Sequence, residues 1–340
     1  LELLTLPLLA AASDAAGRRR IMVAVSSVSV FSRLMVIASP SLPLVVLDKL
    51  VCSCLSNVFL LLTSISCYDL FWKDSSGMTA LEGRSAACWG IAFAVGMLLG
   101  GRLLQSAAPL SGSRALLRRA YACSAGLAAG AAALSAGTRE TLLAVSRRPF
   151  KLRECVPGGN FRVFGSSRLL TMRGLILCLQ TLHDGEGDVW QVYNSDLRGW
   201  TTRENSVYGA LVGSFTTVGG LFVGLSVRAW GPLLHSLLCT LSTMVANLVF
   251  MSRSGAFAYG STPFRAVEDC MSAAVIVAIV QRGTSAGFPR GMVASSCHNL
   301  TAMVRMCGLF SFGRLYAVGR RCGLPQLPYL MTAAAQLLAC

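Results

Sequence analysis

Ser13-Asp14-Ala15-Ala16-Gly17-Arg18-Arg19-Arg20 stands between two apolar runs, Leu1 to Ala12 before it and Ile21 to Ser39 after it. A carboxylate, a glycine and three arginines within eight residues make a tight polar turn. Further out the same kind of apolar run recurs at Leu44 to Ser66, Ala86 to Leu104, Ala120 to Ala136, Ser206 to Val227, Leu233 to Met251 and Met292 to Leu315. Each reaches the roughly 17 to 20 residues a helix needs to cross hydrocarbon. Leu175 to Tyr193, Arg265 to Val280 and Leu324 to Cys340 read the same way but are marked by charge or proline. Leu1 to Ala12 reads as the second half of a further helix, and a start on Leu1 rather than methionine leads us to expect a chain that lacks its first helix.

Composition agrees. Hydrophobic residues make up 54% of the 340 and charged ones only 13%, against about a quarter charged in soluble domains, and the mean hydropathy is +0.60. The net charge of +15 does not form a basic face; the arginines punctuate the ends of apolar runs, as loop charge does. No nucleic-acid module is recognisable, so the expected surroundings are a lipid bilayer and not nucleic acid. The thirteen cysteines lie mostly inside apolar runs, and Cys52-x-Cys54 has no second pair to complete a metal site, so buried reduced thiols are expected.

Between Arg139 and Arg173 the composition changes: Arg147, Arg148, Lys151, Arg153, Arg162 and Arg168 accompany Pro149, Pro157 and Gly158-Gly159. This basic, turn-rich stretch reads as a cytoplasmic linker. Alternation then places Arg18 to Arg20, Lys73, Arg84, Arg228, Arg282 and Arg290 on its side, and Arg114, Arg118, Arg119, Arg320 and Arg321 on the other, a positive-inside bias. The division is residues 1–138, a half-bundle without helix one and with part of helix two; linker 139–173; and residues 174–340, a second half-bundle. Ser226-Val227-Arg228-Ala229-Trp230-Gly231-Pro232 echoes the first turn at the matching place in the second half.

The Ser13–Arg20 turn resembles the signature loop between helices two and three of the major facilitator superfamily, with Ala10 and Ala15 where the family has a glycine and a basic residue. The resemblance implies an all-α membrane protein of two pseudo-symmetric six-helix bundles, with about eleven helices present. It also implies that Asp14, Gly17, Arg18 and Arg19 form a conformational latch, since a carboxylate and arginines in a turn can hold one alternating-access state through charge-assisted hydrogen bonds; a purely topogenic basic turn is the alternative. Gly96-Met97-Leu98-Leu99-Gly100-Gly101 looks like the glycine-rich fifth-helix motif of the family's antiporters, or equally like plain helix packing through Gly96, Gly100 and Gly101. Gly137 to Leu142 and Gly283 to Tyr316 resemble the end of helix six and the loop leading into helix eleven. The similarity is closest to the tetracycline-efflux and hippocampus-abundant-transcript-like branch and runs through nearly the whole chain.

Charges inside apolar segments are functional candidates by default. His183-Asp184-Gly185-Glu186-Gly187-Asp188 interrupts helix seven, so Asp184, Glu186 and Asp188 are candidates for a substrate or proton pathway. An outer loop is the alternative, and a metal site from His183, Asp184 and Glu186 has no recognisable spacing. Counting fourteen residues from Gly174 and from Gly291 matches Asp188 in depth with Arg305. Lys49 sits near a basic position of the family's fourth helix, or snorkels to the interface. Arg33 and Asp48 fall at similar depth either side of the Pro40 to Pro43 hairpin and are expected to pair.

Together these features point to secondary transport of a small solute by alternating access, driven by a proton or other ion gradient and of the efflux kind, with no cofactor, since no nucleotide-binding loop is present. A non-transporting sensor or scaffold is the alternative. An enzyme is poorly supported by only three histidines.

Overall fold

The computed structural model describes residues 2–71, 74–106, 113–142, 147, 149–150 and 161–340. Among them every regular element is helical: α1 Glu2–Ala16, α2 Arg18–Ala38, α3 Leu42–Phe71, α4 Ser75–Ser106, α5 Ser113–Gly137, a single turn α6 Arg162–Gly165, α7 Arg168–Thr181, α8 Trp190–Arg198, α9 Thr202–Phe250, α10 Gly255–Gly260, α11 Ala273–Ser285, α12 Arg290–Arg321 and α13 Leu327–Ala339. Two 3-10 stretches, Leu182–Asp188 and Thr262–Cys270, interrupt the paths α7 to α8 and α10 to α11. Stretches within Arg18–Ala38, Ser76–Arg102, Arg114–Gly137 and Thr202–Phe250 are long and apolar enough to cross a membrane. Of the expected linker, residues 143–146, 148 and 151–160 lie outside the described residues.

Local chemistry sets the breaks. Gly17, at φ +104°, separates α1 from α2 in a conformation reserved to glycine. Asp74 opens α4: its Oδ1 accepts from the Ser76 N–H at 3.0 Å and the Ser76 hydroxyl at 2.7 Å. With a bond from the Gly77 N–H, these hold the carboxyl below the usual range. Thr201 and Glu204 form a reciprocal capping box at the head of α9. The two segments expected at Ser206 to Val227 and Leu233 to Met251 are two helices, together labelled α9, that meet at Gly231, whose φ of +79° is not helical, just before Pro232.

The chain forms two compact units, each gathered from separated stretches: Leu1–Trp72, Ser106–Ser166 and Arg282–Asn299 in the first; Lys73–Gln105, Ser167–Gln281 and Leu300–Cys340 in the second. In the first, α2 packs on α5 and α3, and α1 on α3. In the second, α9 packs on the Thr262–Cys270 stretch and on α13, and α13 on α7.

Helix α4 lies against α9 along small residues. A methyl added to Gly90 would sit 2.6 Å from the Gly213 carbonyl oxygen, and one on Gly213 2.6 Å from that of Gly90. Gly83 meets Gly220 and Val223, Gly224 meets Ala80, and Gly101 meets Ser206. Contact positions 83, 87, 90, 94, 97 and 101 recur every three or four residues, the seam of two antiparallel helices. Of the expected packing glycines, Gly101 belongs to this seam, whereas Gly96 and Gly100 have nothing within 4 Å among the described residues. They lie off the phase of the seam, so of the glycine run only Gly101 packs there.

Gly90→Leu should therefore destabilise by about 1–3 kcal/mol, the usual cost of overpacking, read as a lower thermal midpoint in detergent. Gly96→Ala should leave the midpoint unchanged or slightly raised, as a helix gains by that exchange. Equal losses at the two positions would contradict the seam.

Candidate functional site

Four charges of alternating sign meet where α1, α3 and α12 end or begin. Arg18 is almost wholly buried, at 2% exposure. Its Nη1 lies 2.5 Å from Asp14 Oδ1 and donates to the Ser13 hydroxyl, while its Nε donates to Asp69 Oδ2 at 3.4 Å. Arg290 Nη1 stands 3.7 Å from Asp69 Oδ1. The group Asp14, Arg18, Asp69 and Arg290 is neutral, which is what burial of charge demands.

Two helix heads draw carboxylates to the same place. Glu140 accepts from the backbone N–H of Arg18 at 2.9 Å and of Arg19 at 3.3 Å, satisfying donors that the start of α2 leaves unpaired. Its side chain sits against Gly17, where any Cβ would strike the carboxylate, and the Arg19 guanidinium donates to the Ala136 carbonyl. Asp14 faces the first turn of α12: a methyl on Gly291 would stand 2.7 Å from Asp14 Oδ2. A carboxylate there is favoured by the free N–H groups and the dipole of the helix head.

All four expected latch residues, Asp14, Gly17, Arg18 and Arg19, thus belong to one contact network. Sequence reading missed Asp69, Arg290 and the part played by Glu140. Each is a charge just beyond an apolar run, past Ser66, before Met292 and past Gly137, on the side that alternation assigns to the Ser13–Arg20 turn.

In the second unit α7 ends at Thr181 and the acidic run follows as the 3-10 stretch Leu182–Asp188, which leads into α8. Arg305 donates to Asp184 Oδ2 from Nη2 at 2.7 Å and from Nε at 3.3 Å. The expected partner was Asp188, whose side chain lies outside the described residues. The helix begins at Arg168, six residues before Gly174, so Asp184 is 184 − 168 = 16 residues in, and Arg305 is 305 − 290 = 15 residues into α12.

Glu186 is buried and faces Arg265 at 3.7 Å; Arg265 also holds Glu268 at 2.9 Å and Asn247 at 2.9 Å. Sequence reading passed over Arg265 and Glu268, although opposite charges three apart in an apolar segment are themselves a signal. Gly185 lets the broken helix meet α12: a Cβ there would fall 2.6 Å from Phe312 Cε2 and 2.8 Å from the Gly308 carbonyl carbon.

The Arg33–Asp48 pair is not among the ion pairs of the described residues. Asp48 is buried and accepts from the Ser32 hydroxyl at 2.6 Å and the Cys52 thiol at 3.3 Å. The expected depth is met within one residue, but one residue is about 100° of helix rotation, which turns Ser32 rather than Arg33 toward α3. Lys49 is exposed.

This arrangement of helices is shared with solved transporters. The human organic anion transporter MFSD10 (TETRAN) superposes with a TM-score of 0.74 at 19% identity, over 99% of this chain and 80% of that one. The major facilitator transporter FucP, in its outward conformation, gives 0.73 at 10% identity over 98% and 84%. The proton:xylose symporter XylE, bound to 6-bromo-6-deoxy-D-glucose, gives 0.70 at 13% over 99% and 82%. The chain has the major facilitator fold. No family model matches the sequence, and no curated protein matches it either; at these identities the fold is what is shared.

Within the major facilitator fold, the turn at Gly17 should tolerate no side chain. Gly17→Ala is expected to cost about 1–3 kcal/mol through its backbone conformation alone, with further loss from the Glu140 contact. Glu140→Gln, which keeps an accepting oxygen, should cost markedly less. Thermal midpoints in detergent check the order, and its reversal would contradict the geometry.

Proposed function

We propose that the protein is a secondary transporter that moves a small solute across a membrane by alternating access, in the tetracycline-efflux-like branch of the major facilitator superfamily. The observation that carries this reading is the neutral network of Asp14, Arg18, Asp69 and Arg290, closed by Glu140. Such a network fits a reversible latch. Its outer members are partly open, with side-chain exposures of 21% for Asp14 and 28% for Arg290, so water can replace each partner as the contact opens. The same charges sealed in hydrocarbon would have no second state. The long apolar helices supply the membrane spans, and the solved proton symporters FucP and XylE share the fold.

In this reading residues 1–138 and 174–340 are the two half-bundles and 139–173 is their cytoplasmic linker. The drive is an ion gradient, and the broken helix with Asp184 and Glu186 lines the pathway. The protein is multi-pass and integral to the membrane.

Reconstitution in proteoliposomes tests it. A solute found by screening flux should be carried by the wild type, and Asp14→Asn should slow its turnover roughly tenfold, the equivalent of 1.4 kcal/mol, while equilibrium binding stays within about twofold. A large loss of affinity with normal turnover would place Asp14 in the binding site instead. A folded protein that moves no solute would favour the sensor or scaffold reading. A tag inserted between Pro149 and Phe150 should be reached only from the cytoplasm; labelling from the outer face would invert the topology.

A further inference from the structure

Six ionisable side chains of the second unit form an unbroken chain of alternating sign. Arg305 meets Asp184 at 2.7 Å, Asp184 meets His183 Nε2 at 3.2 Å, and His183 Nε2 lies 3.6 Å from Glu268. Glu268 binds Arg265 through both oxygens, at 2.9 and 3.0 Å, and Arg265 faces Glu186 at 3.7 Å. Side-chain exposure falls from 47% at Arg305 to 6% at Glu186, so the chain runs from the bundle surface to its interior. It is built where both interrupted helices break, at Leu182–Asp188 and Thr262–Cys270. Discontinuous helices of this kind are where transporters place ion sites.

Counting charge shows what is missing. Among the described residues of this chain three carboxylates face two guanidinium groups, leaving one negative charge over unless one proton is added. The His183 ring shows where that proton sits. Its Nδ1 lies 2.6 Å from the Gln180 carbonyl oxygen, which can only accept, so Nδ1 carries hydrogen. Its Nε2 faces two carboxylates, which when ionised also only accept. With both carboxylates ionised both nitrogens donate, and the ring as an imidazolium makes the chain neutral.

At the other end, neither oxygen of Glu186 accepts a hydrogen bond of normal geometry from a described residue, although the side chain is buried. Among the described residues its neighbours on the other elements are Tyr329 and Thr332 of α13, while Tyr208 and Asn247 of α9 stand beside Arg265. None of these supplies a further cation.

We propose that this chain is a single-proton site with two seats, His183 Nε2 and a Glu186 carboxyl oxygen, joined through Glu268 and Arg265. When the proton leaves Nε2 the imidazole lone pair turns toward Glu268, and the excess negative charge is removed only by a proton on Glu186, whose carboxyl group then needs no cation. Arg265 stays with Glu268 and Asn247 in both forms. The inference rests on the transport reading and deepens it, since it names the proton as the ion and these residues as its place.

The test uses the full chain in lipid nanodiscs and varies pH alone, read by infrared difference spectroscopy. The wild type should lose an imidazolium signal on alkaline titration, and His183→Gln should remove that signal. With the first seat gone, His183→Gln should show the C=O band of a protonated carboxyl near neutral pH, and adding Glu186→Gln should abolish it. No such band in His183→Gln, or one that survives Glu186→Gln, overturns the proposal. If the double variant does not fold, Glu186→Asp in the His183→Gln background must shift the band, and an unmoved band overturns the proposal equally. Solute flux in proteoliposomes is scored separately. Bands that behave as stated in a protein without flux refute transport and leave the proton site standing, whereas flux with the wrong bands does the reverse.

Discussion

Hydrocarbon offers a charge neither water nor counterion, so a charge inside a bundle must meet its opposite there or carry a proton. That constraint accounts for the two constellations in this chain. The Asp14, Arg18, Asp69 and Arg290 group holds two charges of each sign. The Arg305 to Glu186 chain balances when His183 is an imidazolium. Elsewhere Arg198, at the end of α8, is held by three rings at once: its guanidinium lies 5.1 Å from the Tyr193 centroid, 5.5 Å from Trp200 and 4.6 Å from Phe250. It also donates to the Asn194 side chain and to the Phe250 and Ser252 carbonyls, the last at 2.6 Å. A cation with no carboxylate partner among the described residues is thereby held by aromatic faces, an amide oxygen and backbone oxygens, its Nε alone lacking an acceptor there.

The backbone obeys the same rule. Irregular segments inside a membrane bundle survive only where protein groups take up the freed N–H and C=O. Both 3-10 stretches lie against densely packed neighbours, Leu182–Asp188 against α12 through Gly185 and Phe312, and Thr262–Cys270 against α9, where the Ala266 carbonyl crowds Gly219. Glycine at these two points is a requirement of approach distance. Helix breaks, close approach and charge therefore coincide, because each makes the others affordable.

The helices were legible in the sequence because apolar length is a one-dimensional property that any crossing segment must show. The latch was legible in part: Asp14 to Arg19 are contiguous, whereas Asp69, Glu140 and Arg290 join only once the chain has folded. Depth was readable and rotation was not. Asp48 was placed level with Arg33 and took the adjacent Ser32, and Arg305, placed level with Asp188, reaches Asp184 one turn away. The Gly96–Gly101 run shows the same limit, since composition marked the right stretch of α4 but not the face that turns to α9.

The two constellations also differ in how they can change. A salt bridge near the surface is worth about 0–1 kcal/mol, and breaking a buried one by removing a partner costs about 3–5 kcal/mol. Arg290, at 28% side-chain exposure, stands toward the first limit, and Arg265 and Glu186, at 9% and 6%, stand at the second. Arg290 can therefore part from Asp69 into water, whereas Arg18, at 3% side-chain exposure, is held as the inner chain is. The inner chain has no such route, for any parting strands an ion beside Phe250, whose ring lies 5.2 Å from the Arg265 guanidinium, with only uncharged polar groups of α9 and α13 near it. What can move there at low cost is a proton, which changes the charge of a seat without moving its heavy atoms.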